Sequence, residues 1–144
     1  MEERDERGGA VRIGMVWGGI GGVVGLLASL PGSLIGILVA GFIGFSCGRR
    51  AAEAGKRSGA LSGLIGGAVA APGYVLGSTL GALLAARLIG AAEIAATLSE
   101  ILGTRVSGDL AWTYFLVSLV LSDIFEAVVL VSVSSAAGAW TKRE

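Results

Sequence analysis

Two acidic residues stand inside an otherwise apolar run near the C-terminal end of the sequence. Asp123 and Glu126 are three positions apart, so a helix would carry both carboxyls on one face. A charged group at the centre of a membrane helix costs about 2.5 to 3.5 kcal/mol, so such residues usually face a bundle interior, water or a partner. The functional interpretation is a path for protons or cations, with one carboxyl neutralised by burial. The structural alternative is that both acids bond to packed helices through Ser118, Ser122 or a neighbouring subunit, or lie nearer to the membrane surface.

The residue types give no support to enzymatic chemistry. The chain of 144 residues has no histidine, which removes Ser-His-Asp and Cys-His catalysis and most zinc sites. Cys47 is the only cysteine, so an intrachain disulfide is excluded and a small apolar core residue is expected instead. We therefore predict no catalytic residue, no cofactor and no metal. A formal net charge of +0 gives a nucleic-acid partner no support.

The composition is that of a membrane protein with several spans. The chain is 53% hydrophobic and 15% charged, whereas soluble domains are about 25% charged. Residues 1–10 read as a polar tail before a first apolar run. Because similar runs recur later, where no signal peptide could lie, we interpret this run as a retained span of a multi-pass protein of the cell membrane.

Small residues recur at every fourth position in several apolar segments. On a helix this spacing leaves one face without bulky side chains, and in a bilayer such a face lets a second helix approach closely. Because several segments carry such a face of small residues, tight packing between helices is favoured over loose packing in lipid. The glycines predicted to pack are Gly14, Gly18, Gly22, Gly55, Gly59, Gly63, Gly67, Gly73, Gly77 and Gly81.

The first part of the sequence matches a later part when its two prolines are superimposed. In that register Pro31-Gly32 falls on Pro72-Gly73, and the glycines of two stripes coincide as well. A Pro-Gly pair suits a type II turn, because proline fixes φ and glycine accepts a positive φ. We therefore predict two copies of one helical hairpin, at residues 11–48 and 52–89, each turning at its Pro-Gly pair.

Residues 91–102 carry a different pattern. Ile94 and Leu98 fall on one helical face and Glu93 falls on the opposite face. This spacing predicts a short amphipathic helix that lies in the membrane surface or against a partner. Gly103 is placed to end that helix.

The last apolar segment, residues 110–140, is predicted to be one long, tilted span. Asp109 is a plausible N-cap, and Trp112 and Trp140 are placed as anchors at the two membrane surfaces. A re-entrant break near Ser122 is the alternative.

Together these elements predict an all-α integral membrane fold: two repeated Pro-Gly hairpins, a surface amphipathic helix and a long fifth transmembrane helix. The positive-inside rule then places the N-terminus in the cytoplasm. Five spans put the C-terminus outside, which Lys142 and Arg143 oppose. The bases predicted to be cytoplasmic are Arg4, Arg7, Arg12, Arg49, Arg50, Lys56, Arg57, Arg87 and Arg105.

The glycine-rich repeat resembles a family of small membrane proteins. Residues 55–65 read Gly-x3-Gly-Ala-Leu-Ser-Gly-Leu-Ile, Pro72 follows, and small residues close the last apolar segment at 132–138. Over residues 11–140 the chain is similar to the small glycine-rich polytopic membrane proteins of archaea that share a domain of unknown function. This resemblance implies an integral membrane bundle and brings no activity with it.

We therefore expect a non-enzymatic membrane protein, a helix-packing structural or interaction subunit. Its expected partners are the lipid bilayer and either further copies of itself, in a homo-oligomer, or other membrane subunits. The alternative is a small channel or transporter that passes protons or cations by way of Asp123 and Glu126.

Overall fold

The described part of the chain forms five helices. The computed structural model describes residues 2–29, 33–55 and 58–142, with the side chains of 2–7 and 33 left aside, and this part of the chain contains no strand. Four helices are long and apolar enough to cross a membrane, which confirms the predicted all-helical, membrane-type fold. The helices are α1 (Glu2–Ala28), α2 (Ser33–Ala54), α3 (Gly59–Ile89), α4 (Ala91–Leu102) and α5 (Gly108–Thr141).

Helix α3 is the centre of the bundle. It contacts each of the other four helices, whereas α1 and α5 make no contact with each other and lie on opposite flanks. The long helices alternate in direction along the chain, so α1 runs parallel to α3, and α2 runs parallel to α5. One end of the bundle, called the terminus end below, brings Gly9, Gly55 and Lys142 together. The opposite end carries α4 and is called the α4 end.

Glycines on α1 and α3 let the two helices pack backbone to backbone. A Cβ atom added to Gly77 would overlap the carbonyl oxygen of Gly22, and one added to Gly81 would overlap that of Leu26. Gly73 is similarly close to Gly18. In a bilayer the hydrophobic effect does not drive helices together, and such close approach supplies the van der Waals contact that associates them.

Helices α3 and α5 also pack backbone to backbone at glycines, near the terminus end. A Cβ atom on Gly59 would overlap the Gly138 carbonyl oxygen, and one on Gly63 would overlap that of Ser134. Ser134 Oγ donates a hydrogen bond of 2.7 Å to the Gly63 carbonyl oxygen, so the two backbones are joined as well as adjacent. Gly48 brings α2 against the same serine. Three helices therefore meet around one buried hydroxyl.

The predicted turn at Pro72 and Gly73 is wrong, because α3 continues through both residues. Pro72 lies on the exposed face of the helix, and Gly73 and the fully buried Tyr74 are held in tertiary contacts. A membrane helix tolerates proline because neighbouring helices and polar side chains can satisfy the backbone groups that proline frees. The other predicted turn, Pro31-Gly32, lies outside the described residues.

Several predicted boundaries move as a consequence. The second hairpin does not form, so the five predicted spans become four and α5 is the fourth long helix. Helix α1 begins at Glu2 instead of near residue 11, so the predicted polar tail is helical. Helix α2 extends to Ala54, which leaves Gly55 outside the glycine-striped helix to which it was assigned.

Helix α4 has the predicted bounds and packs on α5 and α3 at the α4 end of the bundle. Ala95 of this helix packs with Val106 and Ala111. Ser99 Oγ accepts a 2.9 Å hydrogen bond from the Val106 amide. Gly103 ends the helix in the left-handed region at φ 65°. The N-cap of α5 is Ser107 and not Asp109, because the Ser107 hydroxyl accepts from the Leu110 amide.

Candidate functional site

The acids of α5 face a polar patch on α3. Tyr74, Ser78 and Thr79 follow one another at helical spacing, so one side of α3 carries three hydroxyls in an otherwise apolar helix. The midpoint of α5 falls between Asp123 and Glu126. Because α3 and α5 are antiparallel neighbours, the hydroxyls and the carboxyls meet within the bundle.

Asp123 is bound by both of its carboxyl oxygens to α3. Thr79 Oγ1 lies 2.7 Å from Asp123 Oδ2, and Ser78 Oγ lies 3.1 Å from Asp123 Oδ1. Each hydroxyl also lies within hydrogen-bond distance of the Val75 carbonyl oxygen, at 2.7 Å from Thr79 and 3.1 Å from Ser78. The side chain of Asp123 is half-buried, which leaves one side of it toward open space.

The hydroxyl hydrogens around Asp123 permit two arrangements. A hydroxyl carries one hydrogen and accepts with its lone pairs. With Asp123 ionised, Thr79 donates to the carboxylate. With Asp123 protonated, the acid donates to Thr79, whose own hydrogen turns to the Val75 carbonyl oxygen. The network thus holds a charged or a neutral acid without displacement of its heavy atoms.

Glu126 is the more deeply placed acid. Its side chain is only 3% exposed, and its Oε2 atom has no hydrogen-bond partner among the described residues. Its Oε1 atom lies against Gly36 on α2, where an added Cβ would overlap the carboxyl oxygen. A buried, unpartnered carboxyl oxygen is rare in native proteins and calls for a ligand, a water molecule or a proton.

Tyr74 and Gly36 form the floor beneath Glu126. The Tyr74 hydroxyl donates a 2.6 Å hydrogen bond to the Gly36 carbonyl oxygen, and the ring is fully buried. This bond joins α3 to α2 beside the Glu126 carboxyl. The absence of a side chain at Gly36 provides the space that the carboxyl occupies.

A cavity of about 520 Å³ runs from these acids toward the α4 end. From Glu126 to Phe115 on α5 it extends about 16 Å, at 1.5 Å per helical residue. The acids and Ser78 line one end of it, the lining toward the α4 end is mainly apolar apart from serines, and none of the described residues that line it is basic. The lining consists of Ser29, Gly36, Ser78, Ala82, Ala85, Ala86, Ile89, Ile94, Phe115, Ser118, Leu119, Ser122, Asp123 and Glu126.

The structure thus brings together residues that the sequence did not connect. Asp123 and Glu126 share one cavity, and Ser118 and Ser122 line it without appearing among the hydrogen-bond partners of either acid. The bonded partners are Ser78 and Thr79 on α3. Their spacing of four and five residues from Tyr74 was the available signal, but it was hidden by the assumed break at Pro72.

The predicted packing glycines lie away from this cavity. Nine of them are placed by the structure against a neighbouring helix, namely Gly14, Gly18, Gly22, Gly59, Gly63, Gly67, Gly73, Gly77 and Gly81. Gly55 lies beside Ser62 between two helices. No group of three or more histidine, cysteine, aspartate or glutamate residues that could hold a metal occurs in the described part of the chain.

Comparisons with known proteins provide no identity from which to argue. No protein-family model matches the chain, and no curated protein and no solved structure matches it either. The resemblance to small glycine-rich archaeal membrane proteins stays a prediction.

Proposed function

We propose that the protein is a small membrane carrier that moves protons or cations by way of Asp123 and Glu126. One observation carries the proposal: both acids line a single cavity of about 520 Å³ at the middle of a membrane-type bundle. Ionisable residues at membrane depth are expensive and usually mark ion paths. The unpartnered Glu126 Oε2 gives a cation or a proton a place to bind.

The shape of the cavity favours a carrier over an open channel. From the acids the cavity extends toward the α4 end only. Toward the terminus end, Gly48 and Gly63 pack against Ser134, and the backbones there leave no room even for an added Cβ. A site that opens to one side and is sealed on the other is typical of one state of an alternating-access cycle.

The charge distribution supports an orientation with the cavity facing outward. Arg87 and Arg105 lie toward the α4 end, and most other bases lie toward the terminus end, which the positive-inside rule assigns to the cytoplasm. With four spans both ends of the chain lie on that side. Lys142 then agrees with the positive-inside rule, which it opposed in the five-span prediction. The bases of the terminus end whose side chains the structure describes are Arg12, Arg49, Arg50 and Lys142.

Flux measurements in liposomes test the proposal. Purified protein would be reconstituted, and uptake of protons, Na⁺ or K⁺ would be followed by fluorescent reporters under an imposed membrane potential. We expect Glu126→Gln and Asp123→Asn each to reduce flux by about tenfold or more, because a lost charged contact costs about 1.5 to 3 kcal/mol. Glu100→Gln, a change of an exposed acid on α4, is the matched control. Equal flux in all variants, or none in the parent, would refute the proposal.

A structural or interaction subunit that self-associates is the second candidate. Its support is the outer face of α5, of whose most apolar stretch only 11% is buried. Val120, Leu121 and Ile124 are each more than half exposed there. The glycine stripes no longer argue for an oligomer, because they are occupied by contacts within the chain. A single monomeric mass in lipid nanodiscs and in mild detergent would exclude this candidate.

A further inference from the structure

We infer that the cavity takes a small organic monocation, an amine or quaternary ammonium with an apolar body. This inference rests on the proposed function and names its substrate class. It follows from the size of the cavity, from its mainly apolar lining between the acids and the α4 end, and from the small number of oxygen atoms that the two acids leave for a bare metal ion.

The cavity is far larger than a site for one dehydrated inorganic ion. At about 520 Å³ it falls in the range of about 300 to 1,000 Å³ that is usual for small-molecule sites. A metal cation such as Ca²⁺ or Mg²⁺ is held by about six converging oxygens at short range. The volume beside these two acids is sufficient for a ligand of many atoms.

The oxygens that Asp123, Glu126 and Gly36 leave free are too few to form a cage for a metal ion. Both oxygens of Asp123 are engaged by Ser78 and Thr79, and the Gly36 carbonyl oxygen is engaged by Tyr74. Glu126 Oε2 is the buried side-chain oxygen that has no hydrogen-bond partner among the described residues. One carboxylate oxygen, with a second carboxyl nearby, suits a single ammonium centre, which needs charge neutralisation more than a coordination shell.

The lining between the acids and the α4 end is suited to an apolar body. It includes Ala82 and Ala85 of α3, Ile94 of α4, and Phe115 and Leu119 of α5. Phe115 also lies against Trp112, with ring centroids 5.3 Å apart. Aromatic faces attract cations of this type at the entrance of a site, and the small alanines leave room for carbon groups.

The two parts of such a ligand would then be recognised at different places along the cavity. The cationic nitrogen would lie beside Asp123 and Glu126, while carbon groups would cover Ala82, Ala85 and Leu119. Since no described lining residue is basic, an anionic ligand would meet two acids and no counter-charge. A neutral ligand of the same shape would leave the Glu126 carboxyl without a partner.

Binding of benzyltrimethylammonium to the purified full chain tests the inference. Calorimetric titration in detergent, with protein-free micelles as the blank, should show saturable binding that equal concentrations of Na⁺ or of neutral benzyl alcohol do not reproduce. We expect Glu126→Gln to weaken this binding by about tenfold or more. Ala82→Phe, which fills the apolar side of the cavity, should weaken it similarly and leave both acids in place. The exposed-acid variant Glu100→Gln should bind as the parent does.

The outcomes separate this inference from the proposed function. If benzyltrimethylammonium does not bind, or binds equally well to Glu126→Gln and Ala82→Phe, the organic-cation inference is overturned. In that case Glu126-dependent flux of protons or Na⁺ in liposomes would leave the carrier proposal standing. Circular dichroism and a single elution peak would establish that each variant is folded before its binding is compared.

Discussion

Thr79 Oγ1 on α3 lies 2.7 Å from Asp123 Oδ2 on α5, across the contact between two antiparallel membrane helices. The same hydroxyl lies 2.7 Å from the Val75 carbonyl oxygen of its own helix. A single hydrogen therefore serves two acceptors, and its position depends on the charge of Asp123. This arrangement ties the packing of α3 on α5 to the state of the candidate site.

Replacement of a packing glycine should destabilise the bundle. A Cβ added to Gly77 meets the backbone of Gly22, which cannot rotate away. We expect Gly77→Ala to lower the free energy of unfolding by about 1 to 3 kcal/mol, measured by equilibrium unfolding in mixed micelles. Gly19→Ala on α1 is the matched control, because nothing lies within 4 Å of its added Cβ. Equal effects of the two changes would contradict the observed α1–α3 contact.

Replacement of Gly36 should disturb the site without removing a charge. The new methyl group would overlap Glu126 Oε1 and push the carboxyl away from its floor. We expect Gly36→Ala to reduce Glu126-dependent flux by about tenfold, as loss of a charged contact would. Gly41→Ala lies on the same helix with open space around its added Cβ, so it should behave as the parent does. If both variants carry cations equally well, Glu126 is not held as described.

Pro72→Ala distinguishes a continuous helix from a turn. In a continuous α3 the change restores an amide donor on an exposed helical face, so stability should stay unchanged or rise slightly. In the hairpin that the sequence predicted, loss of proline would loosen a turn and lower stability. Thermal unfolding in detergent, compared with the parent protein, decides between the two. A marked loss of stability would favour the turn.

The number of spans predicts which ends of the chain share a side of the membrane. In a Cys47→Ala background, Ser58→Cys and Thr104→Cys place single labels on exposed residues at opposite ends of the bundle. An impermeant thiol reagent applied to intact cells should label position 104 and not position 58. A tag on the C-terminus should be protected together with position 58. Labelling of the C-terminal tag and position 104 from the same side would contradict four spans.

The broad fold was predictable because it depends on local properties of the sequence. The length and apolarity of the runs predict membrane-type helices, and the pattern around Ile94 and Leu98 predicts α4 with its observed bounds. Glycines spaced by four residues indicate faces for close approach, although the spacing does not state which helix will occupy each face. The partner of Gly77 is Gly22 of the same chain, not a second copy.

The turn at Pro72 was mispredicted because the local preference of a Pro-Gly pair for a turn is overridden by contacts with other helices. Proline followed by glycine favours a turn in water, where the freed carbonyl can bind solvent. Here Gly73 is packed on Gly18 and Tyr74 is bonded to Gly36, and both contacts require α3 to continue. Such long-range contacts have no signature in a single sequence.

The acids of the candidate site were predictable from the sequence, but their partners on other helices were not. Asp123 and Glu126 are conspicuous because acids are rare in apolar runs. Their partners Ser78 and Thr79 are common residues in membrane helices, and only the antiparallel pairing of α3 and α5 brings them to Asp123. The space at Gly36 that admits the Glu126 carboxyl depends on α2 as well.

The most direct test of the carrier account is a difference infrared spectrum of the protein in lipid, recorded as the buffer is exchanged between cation-free and cation-containing solution. The account predicts a change in carboxyl bands on addition of the cation, in the parent and in Glu100→Gln alike. It also predicts that the change disappears in the double variant Asp123→Asn with Glu126→Gln. An unchanged spectrum in the parent, or the same change in the double variant, would contradict the claim that these two acids bind the transported cation.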